Sequence, residues 1–164
     1  MRHISFGILF LLTIASCTKE VPETEKKLLK SSGEKSAEET IKNFAAAYND
    51  NNIEKAVSFF DNNYKGAVGD SDYMTGLDSL REDLMQYRKQ YPEGRWEINI
   101  DETIIAGDYA CVLTTGSFLM PDPIEKKMNP VYSERAMRIL KKQKSEEWKI
   151  YRSLATPTFT YDQK

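Results

Sequence analysis

The feature that most constrains this chain is a change of hydrophobic period at Pro92-Glu93-Gly94. Before it, apolar residues recur at helical spacing; after it, they alternate. The first pattern lays a stripe along a helix, and the second gives a strand one buried face. Ile41, Phe44, Ala45 and Tyr48 mark a first helix, predicted to start at Ser36, where Glu39 three residues on completes a capping box. Asn49-Asp50-Asn51-Asn52 breaks that helix. Ile53, Ala56, Val57 and Phe60 predict a second one, ended by Asp61-Asn62-Asn63, and Leu77, Leu80, Leu84, Tyr87 and Tyr91 a third. Beyond Gly94, Trp96, Ile98 and Ile100 alternate with Glu97, Asn99 and Asp101. The turn pair Gly107-Asp108 predicts a hairpin between 103–106 and 109–120, and two more strands are expected at 131–142 and 148–155. Helices followed by antiparallel strands define an α+β domain.

The first residues follow a different logic. Met1-Arg2-His3 is a short cationic start, and Ile4 opens an apolar run that reaches Ala15. That run is shorter than the roughly 20 apolar residues a membrane-spanning helix needs, so it reads as a cleavable leader. Ile14-Ala15-Ser16-Cys17 resembles the lipobox of bacterial lipoproteins. The resemblance implies a signal peptide over 1–16, cleavage before Cys17, and diacylglycerol and acyl (palmitate-type) chains on Cys17. Burial of acyl chains contributes about 0.8 kcal/mol per methylene, and more than one chain gives stable attachment. Thr18 rather than Asp follows Cys17, which by the familiar sorting rule directs a lipoprotein to the outer membrane of the cell envelope, on its periplasmic or surface-exposed face. Residues 17–35 are then a lipidated, flexible linker rich in Lys, Glu and Ser, spanning on the order of 25 Å. The domain occupies 36–158, with a tail over 159–164.

Composition removes several functions. The formal charge is −2 and no basic tract is interleaved with aromatics, so nucleic acid is not an expected partner. Of two cysteines, Cys17 is assigned to lipid, which leaves Cys111 in Ala110-Cys111-Val112-Leu113 as a small buried hydrophobe. The only histidine is His3, inside the leader. A mature chain without histidine has no Ser-His-Asp or Cys-His nucleophile and no histidine metal site. No cofactor is expected.

Phe44-Ala45-Ala46-Ala47-Tyr48-Asn49-Asp50 passing into Ile53-Glu54-Lys55-Ala56-Val57-Ser58-Phe59-Phe60, with Arg138-Ile139-Leu140 leading to Trp148-Lys149-Ile150, resembles the nuclear transport factor 2-like superfamily. That superfamily includes ketosteroid isomerase and the SnoaL-like cyclases. The resemblance covers residues 36–158 and implies a cone: a curved antiparallel sheet wrapped around three N-terminal helices, with an apolar pocket at its open end. It also allows the isomerase to be compared residue by residue. The oxyanion-hole tyrosine falls on Phe44, the base aspartate near Val68, and the second oxyanion donor near Arg135. Asp70 or Asp72 would take the base position after a small slip, and an Asp-Arg-Asp arrangement of the epoxide-hydrolase kind would use one of them with Arg135 and Asp101.

The expected reading is therefore a non-catalytic domain that binds a small apolar or anionic ligand. Phe44, Tyr48, Phe60, Tyr64, Trp96, Phe118 and Met137 are expected to line the pocket, with Arg135 offering a guanidinium to an anion. Two alternatives stand beside it: a partner-binding or homodimerising scaffold using the outer sheet face, where Tyr151 lies, and a SnoaL-like enzyme using carboxylates.

Overall fold

The computed structural model describes residues 23–160; the leader, Cys17 and the last four residues lie outside it. Helix α1 (Glu23–Asn49) is followed by a single turn α2 (Ile53–Val57), strands β1 (Phe60–Val68) and β2 (Met74–Thr75), and helix α3 (Gly76–Gln90). Strands β3 (Arg95–Ala106), β4 (Tyr109–Pro121), β5 (Met128–Lys142) and β6 (Trp148–Thr160) complete the chain. The six strands form one open, curved sheet in the order β2-β1-β6-β5-β4-β3, with the helices against its inner face. This is the α+β architecture the change of period predicts.

Three features differ from expectation. Helix α1 begins at Glu23, not Ser36, so the expected flexible linker is helical from that point. Its Lys, Glu, Leu and Ala residues are good helix formers, and one glycine, Gly33, costs only about 1 kcal/mol. The second helix stops at Val57, and the stretch read as its end and a break is strand β1. That strand pairs parallel to β6, through Lys65 with Arg152 and Val68 with Ala155, so the sheet is antiparallel except at this junction. Finally, β6 runs to Thr160, two residues beyond the expected end of the domain.

Ile41, Tyr48, Val112, Phe118, Leu140 and Ile150 are fully buried between helices and sheet. Bulges between Ile100 and Glu102 in β3 and at the β4–β5 and β5–β6 pairings bend the strands around them. Two side chains tie the wide end of the cone together. Asn49 donates from Nδ2 to the Trp96 carbonyl and accepts at Oδ1 from the Trp96 N–H, both at 2.8 Å, so it replaces the missing neighbour of edge strand β3. Arg88 donates to the carbonyls of Tyr48, Pro92 and Gly94, binding the end of α1 to the turn after α3.

Candidate functional site

The inner sheet face at the wide end carries aromatic rings around a polar centre. Phe118 of β4 is fully buried. Its ring centroid lies 4.8 Å from that of Tyr87, 5.8 Å from Tyr91 and 5.3 Å from Trp96, and Tyr132 stands edge-on to Trp96 at 5.9 Å. Tyr87 comes from α3, Tyr91 caps the C-terminus of that helix, Trp96 comes from β3 and Tyr132 from β5, and all four are only half-buried. They form a rim with Phe118 as its floor. Gly94 is required there, because a Cβ at that position would overlap the Phe118 ring.

Below Tyr132 lies an ion pair that is 5% and 7% exposed, Glu134 with Arg138. Arg138 Nη2 donates to Glu134 Oε1 at 2.9 Å, and Arg138 Nη1 donates to Thr114 Oγ1. The Tyr132 hydroxyl donates to Glu134 Oε2 at 3.0 Å. Both charges are hydrogen-bonded, as buried charges must be. Tyr48 supplies the contrast: its side chain is fully buried, and among the described residues its hydroxyl, like Arg88 Nε, has no hydrogen-bond partner. Burial raises the pKa of the Tyr48, Tyr87 and Tyr132 phenols above the ordinary tyrosine value, and pushes Tyr64 up to about 12. The phenols therefore act as neutral donors and acceptors at physiological pH.

Six of the expected pocket residues share this interior. Phe44 packs edge-on to Phe60 at 5.1 Å, Phe60 to Tyr64 at 4.8 Å, and Tyr48 to Phe118 at 6.4 Å. Phe44, Phe60, Tyr64 and Phe118 fill the cone as core, however, and only Trp96 reaches the half-exposed rim. Arg135 and Met137 need correction. They point out of the opposite sheet face, because Glu134, Ala136 and Arg138 take the inward positions of β5. Arg135 is exposed, and Met137 is 47% exposed. They do meet there with Asp101, Leu113 and Leu154, in a groove of about 400 Å³. Val68, Asp70 and Asp72 are all exposed, and neither aspartate lines that groove. Cys111 is half-buried on the same outer parity, rather than buried.

Glu134, Arg138, Tyr132 and Thr114 were not singled out from the sequence. Both parities of β5 carry apolar residues, Ala136 and Leu140 on one and Met137 and Ile139 on the other, so alternation alone does not choose the inward set. The signal that could have chosen is the Glu134–Arg138 spacing, two opposite charges on one strand face. Among the described residues, no group of three or more metal-binding side chains could hold an ion, and no helix is long and apolar enough to cross a membrane.

The fold has solved counterparts. A protein from Novosphingobium aromaticivorans, described as nuclear transport factor 2-like with a cystatin-like fold, superposes with a TM-score of 0.74 at 9% identity, over 86% of this chain and 92% of that one. A ketosteroid isomerase-like protein from Erwinia carotovora atroseptica gives 0.62 at 14% identity, over 77% and 96%. A Streptomyces avermitilis protein described as a candidate dehydratase of the nuclear transport factor 2-like family gives 0.65 at 13%, over 79% and 99%. No protein-family model and no curated protein matches the sequence. The chain thus has the nuclear transport factor 2-like fold. At these identities the likeness extends to the fold alone.

Proposed function

We propose that this chain is a lipoprotein of the cell envelope, held at the outer membrane through lipid on Cys17, whose domain binds a small ligand without transforming it. The observation that carries the binding part is the Tyr48 hydroxyl, fully buried and without a partner among the described residues, beneath a rim of half-exposed rings. An unsatisfied buried hydroxyl costs about 1–3 kcal/mol, a cost a ligand's polar atom would remove. Catalysis is not part of this reading. The one carboxylate of the inner cluster, Glu134, is ion-paired with Arg138 and accepts from the Tyr132 hydroxyl, so its charge is held by partners within the chain itself.

The anchoring part rests on the Ile14-Ala15-Ser16-Cys17 motif. Cys17→Ser is expected to move the protein from the membrane to the soluble fraction; a variant still pelleting with membranes would refute the tether. For binding, native mass spectrometry of protein purified from its own cells is expected to show a retained small molecule that leaves on denaturation. Mass equal to that of the bare chain, with no saturable response to any ligand, would refute it.

A second reading, self-association through the outer sheet face, is favoured by one specific observation. Met137 and Leu154 are direct cross-strand partners, 47% and 53% exposed, and lie beside Leu113 with Asp101 and Arg135 at the border. Exposed apolar patches of this kind mark interfaces. Leu154→Glu is expected to leave a monomer in light-scattering chromatography where the parent chain is a dimer. A parent chain that is monomeric at high concentration would dispose of this reading.

A further inference from the structure

We infer that the open edge of the sheet is a docking groove for an extended, basic peptide segment, which joins β3 as a further strand. The inference is independent of the small-ligand reading. Among the described residues β3 pairs with β4 alone, so one side of its backbone has no strand beside it. Asn49 marks the groups that face that side. It binds both the N–H and the C=O of Trp96, and in an antiparallel pair the two groups of one residue point the same way while those of its neighbour point the other. The register with β4 runs without a shift from Arg95 to Ile100. Ile98 and Ile100 therefore also turn their N–H and C=O away from β4, up to the bulge at Asp101. The chain has already filled the first rung of this edge with a side-chain amide, which presents a donor and an acceptor as a peptide group does.

The edge opens into a groove of about 420 Å³. One wall is β3 from Ile98 to Thr103; the other is α1, where Glu34, Glu38 and Lys42 recur every four residues on a single stripe. Ile98 and Ile100 are half-buried against the core, so they leave apolar surface on which alternate side chains of an added strand can rest. The rest of the lining is charged mainly in one sense. Four carboxylates, Glu34, Glu38, Asp101 and Glu102, stand against one ammonium, Lys42, which lies 3.8 Å from Glu38. That charge selects the occupant. Lysine or arginine side chains on the added strand are attracted, whereas a second copy pairing edge to edge through β3 would set Asp101 and Glu102 against their own like.

The test uses the full chain and a fluorescently labelled hexapeptide of alternating lysine and valine, blocked at both ends. Two controls accompany it: the same peptide with glutamate for lysine, and the same peptide with every backbone amide N-methylated, which keeps the charges and removes the donors. The lysine peptide is expected to raise the anisotropy saturably and to slow amide hydrogen exchange at Ile98 and Ile100. N-methylation is expected to weaken it at least tenfold, the glutamate peptide should not bind, and Glu34→Lys or Glu102→Lys should each weaken the lysine peptide several-fold. Equal affinity of the methylated peptide would show attraction by charge without strand addition and overturn the inference. So would the absence of saturable binding, or binding that leaves exchange at Ile98 and Ile100 unchanged. Slowed exchange at these amides that grows with protein concentration and no peptide present would give the edge to a second copy instead, and overturn it equally.

Discussion

Single residues at the wide end of the cone carry unequal weight. Phe118 touches four aromatic neighbours, Tyr48, Tyr87, Tyr91 and Trp96, with no exposed surface of its own. Phe118→Ala is expected to cost about 3–5 kcal/mol, measured by urea unfolding, since the rings around it are too large to collapse into the gap. Arg138→Met would strand Glu134 without its guanidinium in the interior and is expected to cost about 3–5 kcal/mol. The double variant Glu134→Leu/Arg138→Met should recover most of that loss, because a well-packed apolar pair can match a buried ion pair. If the double variant unfolds as easily as the single one, the pair is held by more than its mutual charge.

At the scale of elements, the joints matter more than the elements themselves. At its Trp96 end, strand β3 is joined to helix α1 by the two hydrogen bonds of one side chain, Asn49, at a sheet edge with no further strand beside it among the described residues. Asn49→Ala should lower stability by about 1–3 kcal/mol and raise amide hydrogen exchange at Trp96 selectively. Uniform acceleration across β3 would show instead that the joint belongs to the global unfolding unit. These joints were hard to foresee. The helical stripe of Ile41, Phe44 and Tyr48 and the alternation of Trp96, Ile98 and Ile100 were legible because burial on one side imposes a period. Asn49 was legible only as a breaker, since its partner lies 47 residues away. Strand β1 was missed because its polar Asp61-Asn62-Asn63 reads as a turn, while its pairing with β6 is a non-local contact that no local window contains. The Arg135 and Met137 assignment failed at the same scale: one residue of parity on β5 exchanges the interior for the outer face.

For the molecule as a whole, the buried phenols set an upper limit on pH. Tyr64 has its pKa raised to about 12 in the fold from an ordinary value of 10.0. The fold therefore favours the neutral phenol. That stabilisation is fully present below pH 10, and it is lost as pH climbs through about 12. Stability measured by urea midpoint is expected to fall across this window, and Tyr64→Phe should flatten the fall. A parent curve that stays level to pH 12 would contradict the burial of that hydroxyl. The interior is a packed aromatic core with one polar seam, not the hollow expected from the resemblance.

The parallel pairing of β1 with β6 also governs the order in which the chain can become a protein. β6 lies between β1 and β5, so the first-synthesised long strand has no lasting neighbour on that side until the latest one has been made. The α1–α3 half cannot close its sheet early, because closing it waits on contacts of long sequence separation. The contact that closes the sheet onto β1 therefore cannot form before β6 itself has been made.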